Sequence, residues 1–384
     1  MKRLFALLSL MVAVLFVGCN NDDKSVTPSI VLSQNSVEAW FDADVYEVKV
    51  NANCAWVATT DCNWITLVDA EGLADYNSLK FSVATNESSE VRSANIVVSA
   101  KGYEDVFEVV AVSQGTLLDE YFKLTYTSTD NDVVMPYDAA VFGANIVSNT
   151  YENGVGTILF DAPVTKVGEC AFCDCTTLQS ITLPDSVTEL GGWAFFACAY
   201  MKQVTLSNRL KTIGDAAFSS CAVLHDITLP ESLTAVGDSA FYGCSGMSGY
   251  YGKFASEDNR CLIVDDVLRH YAPKGLDEYT IPDGVVTIAH DAFYESFRLK
   301  NVTIPLSVTT IEEYAFYYCE ALKKVYCKPQ TPPTLGESVF ENSDDGVDKP
   351  IGCKIYVPEK SVDAYKEAKN WSRYKSYIYG DAEY

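Results

Sequence analysis

Thirteen cysteines and three histidines are the side chains in these 384 residues best suited to covalent or metal chemistry. Cys175, Cys198, Cys221, Cys244 and Cys319 each lie three residues after a phenylalanine, and Ser296 holds the same place after Phe293. A thiol that recurs with a fixed spacing reads as a packing position, because a small apolar thiol suits a tight inward turn. Side chains stacked in parallel coils point alike rather than toward each other, so the spacing predicts free buried thiols in this column and not disulfides. Cys170, Cys173 and Cys175 cluster closely enough to suggest a metal site. Zinc needs four convergent ligands, however, and the histidine nearest in sequence is His225. No metal is expected. Cys54 and Cys62 leave two readings open, a bridge across a hairpin or two free thiols.

Catalytic constellations are equally sparse. His225, His270 and His290 fall in unrelated registers, and His225 occupies a variable strand position that elsewhere holds Gln179, Lys202, Lys300 and Lys323. It should be solvated. Residues 243–249 mix glycine and serine without a G-x-S-x-G window or a strand-to-helix context. Asp265-Asp266 and Glu312-Glu313 read as turns, where solvation accounts for the charge. A carboxylate pair of the glycosidase kind meets only in three dimensions and stays open on spacing. The chain reads as non-catalytic and without a cofactor.

The elements that position these residues are repeats. Ala-Phe pairs at Phe172, Phe195, Phe218, Phe241, Phe293 and Phe316 are separated by 23, 23, 23, 52 and 23 residues, and a looser Val339-Phe340 follows. A fixed period in the twenties marks a solenoid in which each coil buries its apolar side against its neighbours. Val187, Leu210, Leu233, Val285 and Val308 open their coils. Leu190, Ile213, Val236, Ile288 and Ile311 follow three residues later, and both sets should point inward. Gly168, Gly191, Gly214 and Gly237 are expected at a tight turn. A short strand then carries Leu178, Ile181 and Leu183, or Leu224, Ile227 and Leu229, inward until Pro184 or Pro230 ends it. The long interval holds an insertion at about 248–276, in which residues 261–264 and 267–271 read as a hairpin. Met247 and Leu276 take the same repeat position on either side of it.

This pattern resembles the leucine-rich repeat, specifically the BspA-like type of bacterial surface proteins, over residues 164–327. Residues 116–163 read as an N-terminal cap, with strands at 122–127 and 157–160, and 328–384 as the C-terminal cap beyond the stop at Pro329, Pro332 and Pro333. Upstream, strict alternation at 45–51, 79–83, 95–99 and 107–112 predicts half-buried strands of an immunoglobulin-like sandwich. The local sequences around Asn53–Val57, Asn63–Thr66 and Arg92–Val98, with the closing VAVSQG of residues 110–115, resemble a BACON domain across 29–115. That resemblance implies an N-terminal domain of a gut-bacterial surface protein, suspected of binding carbohydrate or mucin. The fold class is therefore mainly β: an immunoglobulin-like sandwich, then a leucine-rich repeat solenoid of 23-residue coils capped at both ends.

The net charge of −24 sets the chain against phosphate backbones and anionic lipid surfaces, so nucleic-acid binding is not expected. Residues 1–18 read as a signal peptide, whose apolar run at 4–17 is too short to span a bilayer comfortably. The run ends in Leu15-Phe16-Val17-Gly18-Cys19, which resembles a bacterial lipobox with Cys19 as the acylated residue, and 19–28 as a lipidated tether. Asn20, Asn21, Asp22 and Asp23 resemble the tag of lipoproteins exposed on the outer membrane.

Two surfaces are candidates for recognition. Outward strand positions Ser180, Thr182, Gln203, Thr205, Asp226, Thr228, Asn301 and Thr303 should form a polar ladder on the concave sheet, although threonine also suits strands on its own account. The column directly after the repeat phenylalanine holds Phe196, Tyr242, Tyr294 and Tyr317. Such aromatics, if exposed, anchor protein interfaces or stack on sugars. Trp193, Trp56 and Trp64 are read as core. Together with these surfaces, the two resemblances imply a cell-surface protein that binds host or extracellular protein through the solenoid, with glycan or mucin contact by the sandwich. Glycan capture for a polysaccharide uptake system and a spacer without its own ligand are the alternatives.

Overall fold

The structure, a computed structural model, describes residues 27–382 apart from residues 89 and 345. The expected signal segment and Cys19 lie outside the described residues. Two compact units divide at residues 117 and 118.

The first unit is a β-sandwich. One sheet orders the strands Ile30–Leu32, Asp44–Ala52, Asp75–Val83 and Ile65–Asp69; the other orders Ser36–Ala39, Tyr103–Gln114, Arg92–Ala100, Trp56–Thr59 and Glu71–Gly72. Pairing is antiparallel except between Ser36–Ala39 and Tyr103–Gln114, which run parallel. Alternation sends Val48, Val50, Leu79, Phe81, Ile96, Val98 and Val110 into the core, fully buried. Trp56 joins them, and a Cβ on Gly72 would fall 2.5 Å from its indole Nε1. Cys54 and Cys62 are free thiols.

In the second unit about nine turns stack with parallel pairing. Lys166–Val167, Glu189–Leu190, Thr212–Ile213 and Ala235–Val236 pair rung on rung, each shifted by one repeat. Both apolar sets that open the coils are buried. The repeat phenylalanines form a stack: Phe172–Phe195, Phe195–Phe218 and Phe218–Phe241 have ring centroids 5.4, 5.3 and 5.3 Å apart and nearly parallel planes. Beyond the first coil, each thiol of the cysteine column donates to the carbonyl of the phenylalanine one coil back, Cys198 to Phe172, Cys221 to Phe195, Cys244 to Phe218 and Cys319 to Phe293, all at 3.1 Å, while Cys175 donates to the Met135 carbonyl of the cap at 3.3 Å. That bond gives the column a reason beyond size.

Several expectations change here. The column glycines do not sit at a left-handed turn; a Cβ on Gly214 would lie 2.5 Å from the Gly192 amide nitrogen, and one on Gly191 equally close to the Glu169 nitrogen. Close approach of neighbouring backbones is what excludes a side chain. The left-handed residues are instead Cys170, Trp193, Ala216, Ser239, Asp291 and Tyr314, each just before the buried alanine. Cys170 and Cys173 form a disulfide, outside the thiol column. Register keeps Met247 and Leu276 in the same repeat position, one coil after Leu224 and one coil before Leu299, but Leu276 is 36% exposed where Met247 is buried.

The insertion forms the expected hairpin, Cys261–Val264 against Val267–Tyr271, with Asp265 and Asp266 both left-handed in its turn. Tyr250, His270 and Tyr271 carry the ring stack across it, from Phe241 to Phe293. The N-terminal cap contains one strand more than expected. Ile146–Glu152 pairs with Val155–Phe160, which pairs with Lys123–Ser128, and that strand runs antiparallel to Leu178–Thr182 of the first coil. Phe142 closes the stack at 5.6 Å from Phe172. At the other end, the prolines after Cys327 do not stop the ladder. Thr334–Leu335 pairs with Thr310–Ile311, Lys354–Pro358 pairs with Lys324–Cys327, and Ile378–Asp381 adds a further rung. Phe340 stacks on Phe316 at 5.3 Å. The tract expected to be a cap therefore extends the sheet before Tyr365 and Trp371 seal it.

Candidate binding surface

Register decides what the strand face presents. Ser180 pairs with Gln203, and Thr182 with Thr205; Glu278 pairs with Asn301, and Thr280 with Thr303. Thr182, Gln203, Thr205, Asp226 and Thr228 are exposed, while Ser180, Asn301 and Thr303 are half-buried. The alternation that buries Ile181, Val204, Ile227 and Val302 fixes this ladder as outward-facing. Ser180 is partly used up, since its hydroxyl lies 2.7 Å from that of Thr127 in the cap. Grooves of about 350 and 230 Å³ lie along this face, the first bounded by Thr182, Thr205 and Lys123, the second by Gln203, Asp226 and Thr228. A polar, open face of this kind can bind by hydrogen bonds over a broad area.

The aromatic column is real but uneven. Phe196, Tyr242, Tyr294 and Tyr317 are all half-buried. Tyr242 and Tyr294 approach to 4.3 Å between centroids despite the insertion that separates them in sequence, and Tyr294 to Tyr317 is 6.3 Å. Tyr318 and Tyr314 extend the cluster, at 4.7 and 5.0 Å from Tyr317. Burial raises the phenols of Tyr242 and Tyr294 above their usual range, so they remain hydrogen-bond donors. Tyr317 donates to Asp348 Oδ1 at 2.7 Å, and Ser338 donates to the other oxygen, which holds that carboxylate below its usual range. Beside the cluster, burial pushes the Asp291 carboxyl up to about 6, with His290 Nε2 3.0 Å from its Oδ2 acting in the lowering direction.

Trp193 is 44% exposed at a left-handed turn, which corrects its reading as core. Alternation could not place it, because the turn column has no inward-outward period. Tyr251 is exposed while its neighbour Tyr250 is buried, donating to or accepting from His270 Nδ1 at 2.6 Å. His225 is exposed as expected, with Lys274 Nζ 2.5 Å from its Nε2.

In the sandwich, the motif residues are structural. Trp64 is half-buried beneath the Arg92 guanidinium, 4.4 Å from the ring centroid. Arg92 Nε donates to Gln114 Oε1 at 2.6 Å, and Gln114, fully buried, donates in turn to the Ala84 and Phe41 carbonyls. Asn53 accepts from the Ser29 amide and donates to the Thr27 carbonyl. The conspicuous side chains thus clasp strands together.

Among the described residues no three His, Cys, Asp or Glu side chains converge on a metal-sized site, and no helix is long and apolar enough to cross a membrane. A β-sandwich followed by a stacked-coil solenoid with an open polar face defines a repeat protein. The comparisons agree. The family of BspA type leucine rich repeat regions matches in six copies over residues 145–252 and 270–348. BACON, described as an N-terminal domain of suspected binding function, matches residues 55–115. The chain belongs to the BspA-type leucine-rich repeat proteins and carries a BACON domain.

Among solved structures, a leucine-rich repeat protein from Bacteroides capillosus is 31% identical over 35% of this chain and 95% of its own, with a TM-score of 0.24. The pneumococcal vaccine antigen PcpA is 18% identical over 56% of this chain and 75% of its own, TM-score 0.37. A Bacteroides ovatus GH5 xyloglucanase is 20% identical over 24% of this chain and only 21% of its own length, TM-score 0.22. No curated protein matches the chain.

Proposed function

We propose that this is a non-catalytic recognition protein displayed on a cell surface, which binds host or extracellular protein through the outward strand face of the solenoid. The observation that carries the reading is register. Thr182 beside Thr205, and Thr280 beside Thr303, lie in rows across successive coils with their backs packed into the core. Such a face offers many hydrogen-bonding groups on a scaffold that need not reorganise, which lowers the entropic cost of association. Acylation at Cys19, within 19–28, would tether the chain to the outer membrane. Export agrees with the acidic composition, which keeps the protein soluble and off anionic surfaces.

The half-buried rings of Tyr242, Tyr294 and Tyr317 favour a second reading, glycan capture, because tyrosine offers an apolar body with a hydroxyl at its tip. The test separates residues 28–115 from 116–384 and measures each for binding to mucin O-glycans, polysaccharides and extracellular-matrix proteins. Saturable protein binding by 116–384, unaffected by free sugars, supports the proposal. Binding that a defined oligosaccharide competes away moves the function to glycan capture, and silence from both halves favours a spacer.

A further inference from the structure

From the rung Lys324–Cys327 onward the strand face changes character. One outward row, read in register, runs Glu278, Asn301, Lys324, Lys354; the next runs Thr280, Thr303, Tyr326, Tyr356, Tyr379. Acid, amide and hydroxyl give way to lysine and tyrosine within two rungs. Lys324 and Lys354 stand side by side on adjacent strands, an arrangement of like charges that disfavours the sheet when nothing neutralises it. Lys324 has no acidic partner among the described residues, and Lys354 Nζ rests 5.7 Å from the centroid of the Tyr379 ring. One coil earlier, the cations Arg298 and Lys300 are both taken up by Asp277, at 3.5 and 2.7 Å. In a chain with 52 acidic and 28 basic residues, an exposed lysine pair without a carboxylate points to an anion supplied from outside.

The tyrosines say what kind of anion. Tyr326 and Tyr356 stack at 5.3 Å with planes 17° apart, and Tyr356 to Tyr379 is 6.0 Å at 37°. Their faces are largely turned on one another, leaving ring edges and hydroxyls outward. A sugar ring stacks on a free aromatic face, which Tyr356 lacks. Edges and hydroxyls of clustered tyrosines are the material of protein hot spots. A groove of about 300 Å³ bounded by Glu278, Thr280, Asn301, Thr303, Lys324 and Tyr326 runs alongside. We propose that Lys324, Lys354 and the tyrosine ladder Tyr326–Tyr356–Tyr379 dock an extended, carboxylate-bearing segment of a partner protein. This rests on the recognition reading above and names the chemistry at one end of the face.

The test uses the chain from residue 20 onward and fluorescein-labelled poly-L-glutamate, followed by anisotropy at low salt. Binding should be saturable, and Lys324→Gln/Lys354→Gln should weaken it by about tenfold or more, the scale of losing two charged contacts. Lys211→Gln, on another coil, should leave it unchanged. Both lysines of the pair are exposed, so the double variant should fold, as circular dichroism would verify. No binding by the parent chain, or equal binding by the double variant, overturns the proposal. Competition by polygalacturonate at lower concentration than by poly-L-glutamate also overturns it and assigns the lysines to a carboxylated glycan. If the double variant still binds extracellular proteins through the rest of the face, only this inference falls and the recognition reading stands.

Discussion

Replacing Phe218 by alanine tests the organising stack where it is most enclosed. The ring is fully buried, with Phe195 and Phe241 each 5.3 Å away in near-parallel planes. Truncating a buried phenylalanine costs about 3–5 kcal/mol, combining lost transfer energy with the cavity left behind. Two ring pairs are broken, each worth roughly 0.5–1.5 kcal/mol beyond its area, so the upper part of that range, about 4–5 kcal/mol, is expected. Neighbouring coils hold each other in place nearest-neighbour fashion, and the loss should be felt on both sides. Native-state hydrogen exchange on the full chain reads this directly. The amide of Phe195, bonded to the Ala217 carbonyl, and that of Phe218, bonded to Ala240, should lose protection, while amides in residues 27–117 should not. A cost under about 2 kcal/mol, below the range for truncating a buried phenylalanine, would refute the view that the stack is a principal source of the solenoid's cohesion.

Gly214→Ala should destabilise by about 2 kcal/mol or more, as overpacking against backbone does. Gly102→Ala, at φ +82° with nothing within 4 Å of its Cβ, should cost only about 1 kcal/mol; equal costs in urea titrations would restore the turn explanation for the repeat glycines. Burial lowers the His270 imidazole to about 3 from 6.5. A depressed folded value means the stabilisation is full above pH 6.5 and is lost as pH falls toward 3, by up to about 4–5 kcal/mol. Asp291, raised to about 6, works in the opposite sense over the upper part of that range. His270→Gln should therefore flatten the acid limb of a stability–pH curve, and an unchanged limb would contradict it. Reducing Cys170–Cys173, separated by three positions, should cost no more than about 2 kcal/mol, because so short a loop restrains little chain entropy; a larger drop in thermal midpoint would give the bond a wider role.

Where a residue's type follows from a repeating physical constraint, the sequence revealed it. The Phe172-to-Phe316 series, the inward aliphatic columns and the free thiols of Cys198, Cys221 and Cys244 all recur because each coil solves the same packing problem. The outward strand ladder was legible for the same reason, as the complement of the buried positions. Legibility failed where the constraint is backbone geometry or a single contact. Trp193 lies in a left-handed turn whose occupants range from alanine to tyrosine, so no side-chain pattern marks it. Prolines 329, 332 and 333 looked like a stop, yet the rungs at Lys354–Pro358 and Ile378–Asp381 need only parallel backbone registry, which tolerates a longer connection. The tyrosine ladder on those rungs was missed for that reason. Arg92, Gln114 and Asn53 were visible as motif residues, but their work as a clasp for the sandwich emerges only from their hydrogen bonds.

The most direct test places arginines on the outward face of the solenoid. Thr205 and Thr228 are exposed, with Val204 and Ile227 behind them in the core, so Thr205→Arg/Thr228→Arg should alter the surface and leave the fold intact. The measurement is binding of the chain from residue 20 onward to a panel of immobilised extracellular-matrix proteins and mucin, with and without this change. The account predicts saturable binding to at least one protein, reduced by about tenfold or more in the variant. Undiminished binding by the variant, or binding that resides wholly in residues 28–115, would contradict it.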